Sequence, residues 1–186
     1  MRSARSASSE SVSAQLLIVG LGNPLMADDG AGHAVVGRLG HSEQPPGLRL
    51  LLIDGDVLGL GQLWTGEAAI WLVDAVIGTS PAGTLHIFEH EDLLRLPAAG
   101  QSSHQPSVSE SLRWLLHAHP ELAEVRFRLY GVEVDGVRPE EGLSPAVEAA
   151  ADRLAGVIRA AAADFLAGPG SGEAGPRTGG GEATSS

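Results

Sequence analysis

The sequence contains no cysteine and, among its 12 basic residues, no lysine. The first absence excludes disulfide frameworks, zinc knuckles, thiolate metal ligands and a cysteine nucleophile. The second excludes lysine-based catalysis and a Walker-type phosphate lysine. Positive charge is scarce as well: 12 arginines stand against 23 acidic residues, a formal net charge of −11, and the pI is near 4.9. Scattered arginines cannot form the concentrated basic face that nucleic-acid phosphates require, so no nucleic acid is expected as partner. No apolar run approaches the ~18–20 residues of a transmembrane helix, so no membrane is expected either. What is present is 43% hydrophobic residues in a chain of 186, with mean hydropathy near zero. This suits one globular domain of the usual ~100–200 residues and excludes a wholly disordered chain. A soluble, acidic, cytoplasmic protein is expected, acting as a monomer.

Residues 1–15 are rich in Ser, Arg and Ala, lack an apolar h-region and carry Glu10. They read as a disordered leader rather than a secretory signal. Residues 16–167 read as a single α/β domain, and residues 168–186, composed of Gly, Pro, Ser, Thr and Glu, read as a disordered tail. Within the domain, residues 16–20, 48–54 and 69–74 are short apolar runs of the kind that form strands buried on both faces. The third of these is apolar throughout and is expected at the centre of the sheet. Residues 83–88 make a shorter strand. Residues 125–130 alternate apolar and polar, which places that strand toward an edge. Helical periodicity runs through Ala34, Val35 and Leu39, and again through Leu112, Leu115 and Leu116 behind a Ser107/Glu110 capping box. A last helix opens at Ser144-Pro145, serine as cap, and reaches about Leu166. Alternating strands and helices, with most strands apolar on both faces, predict a three-layer αβα sandwich around a mainly parallel twisted sheet of about five strands.

In such sheets, sites gather beyond the carboxyl ends of the strands. The first strand runs into Gly20-Leu-Gly-Asn-Pro-Leu-Met-Ala-Asp-Asp-Gly30, the second ends in Asp54-Gly-Asp56, and the third ends in Asp74. The loop before the capped helix adds Ser102-Ser-His-Gln105. Carboxylates and an imidazole converging from separate strands form an oxygen/nitrogen set suited to a divalent transition metal. Each residue also has a plainer reading. Gly20 and Gly22 begin a dinucleotide-like fingerprint, but Leu25 occupies the third glycine position. Asp28 reads best as a cap for the helix that follows it. Asp74 is the most suggestive, because a carboxylate finishing a central apolar strand is costly unless paired, coordinated or wetted by a cleft. His86, His90, His117 and His119 read as surface residues, and His33 and His41 carry no spacing signal.

The glycine-rich run of residues 20–30 resembles the N-terminal signature of the nickel–iron hydrogenase maturation endopeptidases. The resemblance continues through Asp54-Gly55 with Gly59, Val73-Asp-Ala75, Ser103-His-Gln105, and Gly131-Val with Gly142-Leu-Ser-Pro145, in order over about residues 16–166. It implies an endopeptidase, a hydrolase of aspartic type with nickel-dependent recognition. That enzyme would remove the C-terminal extension of a hydrogenase large-subunit precursor after nickel insertion. It also implies a metal-contacting set of Asp29, Asp74 and His104, with Asp29 or Asp74 activating water. The nickel is expected to be presented by the substrate rather than tightly held by the enzyme. Two departures stand out: Asp29 where many members carry Glu, and Asp56-Val57 where Gly-Thr is usual. Two other readings compete. One is a non-catalytic metallochaperone or quality-control module that binds the nickel-loaded precursor. The other is a nucleotide-binding domain, which the missing third glycine disfavours.

Overall fold

The computed structural model describes residues 15–96 and 107–168. The expected tail beyond Gly168, the leader before Gln15 and the metal-ligand candidate His104 lie outside the described residues. Five strands form one sheet: β1 (Leu16–Gly22), β2 (Leu48–Asp54), β3 (Ala69–Val76), β4 (Leu85–Glu89) and β5 (Arg126–Glu133), in the spatial order β2-β1-β3-β5-β4. Four are mutually parallel, and β4 runs antiparallel to β5 at one edge. The helices are α1 (Ala31–Gly40), α2 (Leu60–Leu63), α3 (His90–Arg95), α4 (Val108–Ala118) and α5 (Pro145–Ala167). Among the described residues no helix is long and apolar enough to cross a membrane.

Side chains alternate across a strand, so each buried strand feeds two cores. Ile18, Trp71, Val73, Tyr130 and Val132 pack with residues of α1 and α5 on one face. Leu17, Val19, Ile70, Leu72, Phe127 and Leu129 pack with Leu93, Leu112 and Leu115 of α3 and α4 on the other. The three-layer sandwich expected from the sequence is therefore the observed architecture. β1 is buried at all seven positions because both of its faces are covered. Each fully buried Leu or Ile contributes about 1.5–3 kcal/mol of transfer free energy.

Three expectations about placement need correction. β2, expected to be buried on both faces, is an edge strand with no fully buried position, because only β1 flanks it. β5 is an inner strand between β3 and β4, and the other edge belongs to β4. The alternation at its start comes from Arg126 and Arg128, whose guanidinium groups lie over Phe165 and Trp71; Arg126 stays exposed and Arg128 is half-buried. Asp74 is not the last residue of its strand, since β3 continues two residues further to Val76. The capping box at Ser107 and Glu110 is present as expected. Ser144 occupies the N-cap position of α5, but its side chain makes no capping bond.

The contact that positions the site is made by backbone. A Cβ on Gly32, in the first turn of α1, would lie 2.3 Å from the Val73 carbonyl oxygen and 2.4 Å from that of Leu21. A Cβ on Gly20 would lie 2.5 Å from the Gly32 carbonyl oxygen. No side chain fits between α1 and strands β1 and β3 here. Gly32→Ala should therefore cost on the order of 1–3 kcal/mol by overpacking. Gly37→Ala, on the same helix with nothing within 4 Å of the added carbon, should be neutral or stabilising by up to ~1 kcal/mol. Urea unfolding of the two variants beside wild type checks both, and equal midpoints would refute the tight contact.

Candidate active site

The sheet order reverses direction at β1. The chain leaves β1, crosses through α1 to β2 on one side, and returns to β3 on the other. The crevice at the carboxyl ends of β1 and β3 is thus the topological switch point, where open α/β sheets bind ligands. Register pairs Gly20 with Val73, after which β1 turns away and leaves Asp74 paired only on its β5 side, with Gly131. Asp29 enters the same crevice from the turn above. That turn is tightly built: Gly22 has φ +107, and a Cβ there would lie 1.9 Å from the Asp29 carbonyl oxygen. Asp29 Oδ2 accepts a hydrogen bond from the Asn23 amide at 2.8 Å, and Asn23 Oδ1 accepts one from the Leu25 amide at 2.9 Å. Ala27 adopts φ 48, a left-handed conformation that costs a non-glycine residue about 1–2 kcal/mol. Its amide donates to the Glu140 carbonyl oxygen at 2.6 Å, which holds it there.

The electrostatics of the two carboxyl groups are linked. Burial raises the Asp29 pKa, while the Asn23 amide and the nearby His33 imidazole oppose the shift. Asp74 goes further. Burial and then the charge of Asp29 push it up to about 8, against a single stabilising bond from the Ala75 amide at 2.9 Å. The repulsion falls on Asp74 because Asp29 loses its proton first, while Asp74 is still neutral. As pH rises the pair therefore passes through a state in which Asp29 is ionised beside an Asp74 that keeps its proton. Two electrostatically linked carboxyl groups, one of them held protonated by burial, fit a divalent cation by their chemistry. Among the described residues no third His, Asp or Glu joins them to make a metal-binding group.

Comparison with known proteins bears on this arrangement. Residues 34–161 match the family model for hydrogenase maturation proteases. The chain belongs to the hydrogenase maturation protease family. Protein FrxA of Pyrococcus furiosus is 27% identical over 139 residues, 72% of this chain and 98% of that one. The solved hydrogenase maturating endopeptidase HybD of E. coli superposes with TM-score 0.70 at 23% identity, covering 81% of this chain and 93% of that one. The hydrogenase maturation protease HybD of Thermococcus kodakarensis gives 0.64 at 22%, covering 80% and 99%. These likenesses establish the fold of the protease.

Around the carboxylate pair, several sequence expectations are corrected. Asp28 does not cap the helix that follows it. It is buried, and its Oδ1 accepts the Ser144 amide at 2.6 Å, tying the turn to the start of α5. Asp56, which stands where the resemblance leads one to expect glycine, accepts the Leu58 amide at 2.9 Å and caps a 3-10 turn over Val57–Gly59. Asp54 is largely exposed and lies 3.6 Å from His33 Nε2. Its neighbour Gly55 is bridged to Gly22. His33 is close enough to Asp29 to influence it, and its Nε2 lies 3.2 Å from the Ile53 carbonyl oxygen. The signal for it was available: four residues separate it from Asp29, one helical turn. His86, expected at the surface, is half-buried on the edge strand β4 and engaged. Its Nε2 lies 2.8 Å from Glu133 Oε2, and Glu133 is only 3% exposed.

A raised acid pKa has a definite sign in stability. Asp74 binds a proton in the folded protein up to about pH 8 and in the unfolded chain only to about pH 4. Its contribution is fully present below pH 4 and is lost as pH rises toward 8. Asp74→Asn should therefore stabilise the protease near pH 8 by on the order of a few kcal/mol and have no such effect near pH 4. Thermal melts of both proteins at the two pH values test this. A variant less stable than wild type at pH 8 would contradict it.

Proposed function

We propose that the protease removes the C-terminal extension of a nickel–iron hydrogenase large-subunit precursor after nickel insertion, and that Asp29, Asp74 and His104 read the nickel in that substrate. The observation that carries this reading is the Asp29–Asp74 pair, two electrostatically linked carboxyl groups sharing one crevice at the switch point, of which Asp29 loses its proton first. Such a pair divides acid and base work between two like side chains. Asp29, ionised, takes a proton from the water that attacks the scissile carbonyl carbon. Asp74 gives its proton to the departing amine nitrogen as the C–N bond breaks. A dication arriving with the substrate makes Asp74 the stronger proton donor, and Asp74 faces the metal as a carboxylate once that proton has gone to the amine.

The donor chemistry supports a borrowed metal. The chain has no cysteine at all, and oxygen and imidazole donors alone make a modest site for nickel. Nickel is therefore part of the substrate, and recognition works as a checkpoint that positions the scissile peptide only when the metal is seated. The protease works as a cytoplasmic monomer on this reading, meeting its partner transiently.

The test is to incubate the protease with nickel-free and nickel-loaded precursor at matched concentration and to measure the large-subunit mass. Only the loaded precursor should shorten, and equal cleavage of both would refute the checkpoint. Asp74→Asn and His104→Ala should each lower the rate by about 100-fold or more. Loss in Asp74→Asn cannot be ascribed to unfolding if its melts match the stabilisation predicted above. Stable binding of loaded precursor without any mass change would instead establish a non-catalytic chaperone.

A further inference from the structure

On the same sheet face as Asp74, two residues further along the sheet, lies a carboxylate of opposite character. Glu133 pairs in register with Val76, as Gly131 pairs with Asp74. Its Oε1 accepts the Gly78 amide at 2.7 Å, and its Oε2 accepts from His86 Nε2 at 2.8 Å. Its backbone is engaged with the same region: the Gly83 amide donates to its carbonyl oxygen and its own amide donates to that of Thr84, each at 2.8 Å. All four bonds run to the β3–β4 connection and the strand that follows it. Gly78 is exposed to solvent, yet a Cβ there would lie 2.9 Å from Glu133 Oε1. The connection is thus moulded around the carboxylate. Just before Gly78, and three residues beyond Asp74, Ile77 stands 65% exposed.

A carboxylate this deeply buried is costly, and an apolar residue of similar size would fill the space with less desolvation. What an apolar residue could not do is hold a turn amide and an imidazole from two directions. We propose that Glu133 and His86 are a positioning pair that fixes the β3–β4 connection as one wall of the Asp29–Asp74 crevice and presents Ile77 to the precursor segment about to be cut. The occupant is an extended peptide with an apolar side chain near its scissile bond. This rests on the processing reaction proposed above.

The experiment measures kcat and KM on nickel-loaded precursor for wild type, Ile77→Ser, His86→Ala, Glu133→Ala and Glu133→Gln. The amide exchange rate of Gly78 is measured in parallel on the protein alone. Glu133→Ala and His86→Ala should raise KM by roughly tenfold with kcat little changed, as expected for a displaced substrate wall. Ile77→Ser, at an exposed position that cannot unfold the domain, should raise KM alike. Glu133→Gln should restore KM, because its amide oxygen still accepts from Gly78 and its amino group can donate to the other His86 tautomer. Gly78 exchange should accelerate in Glu133→Ala and stay slow in Glu133→Gln. Wild-type KM in Ile77→Ser together with His86→Ala overturns the proposal, even if Glu133→Ala fails to fold. Failure of Glu133→Gln to restore KM overturns the hydrogen-bonding account. A wild-type protein that never shortens the precursor refutes the reaction, and the positioning role falls with it, whatever Gly78 exchange reports.

Discussion

Everything at the site depends on one helix lying against a strand with no side chain between their backbones. Gly20 and Gly32 let the first turn of α1 settle onto β1 and β3 at distances that any Cβ would block. A helix held off by the usual side-chain layer would carry the preceding turn, and Asp29 with it, away from the crevice over β3. The same closeness forces the turn of residues 22–30 into a strained path, with Ala27 in a left-handed conformation and Gly22 at positive φ. Close packing creates the site, and strain in the turn is its cost.

The carboxyl edge of the sheet holds two kinds of acidic residue, and the difference between them is instructive. Asp28 and Glu133 are buried and satisfied: one accepts the Ser144 amide, the other a glycine amide and an imidazole. They behave as structural joints. Asp29 and Asp74 are left with one amide bond apiece and with each other. Hydrogen bonding stabilises the first group as built, whereas the second keeps a proton that a fully stabilised site would have shed. An arrangement that lowers stability at the pH where it works is the expected mark of a reactive group.

The layered fold was legible because β1 and β3 are apolar runs whose burial on both faces follows from that pattern, whereas β2, equally apolar in sequence, lies at an edge and is only partly covered. Asp74 was legible as a carboxylate toward the carboxyl end of a central strand, although β3 runs two residues past it. β5 was misplaced because its arginines look solvent-facing in a linear pattern, and only the folded chain brings Phe165, Trp71 and Tyr130 beneath them. His86 and Glu133 were illegible as a pair, being 47 residues apart in sequence and joined only by the antiparallel pairing of β4 with β5. Asp28 was read as a local cap because its true partner lies on a helix 116 residues away.

That last separation has a consequence for the life of the chain. The turn that carries Asp29 is made well before the segment that holds it, because its contacts come from Glu140 and Ser144, at and just before the start of α5. β3 likewise lacks its flanking strand until residues 126–133 are made. A nascent chain therefore carries the Asp29 turn without the support that shapes it until α5 has been made and has docked. A product that ends before residue 140 would carry both carboxyl groups without the two bonds that shape the turn around one of them.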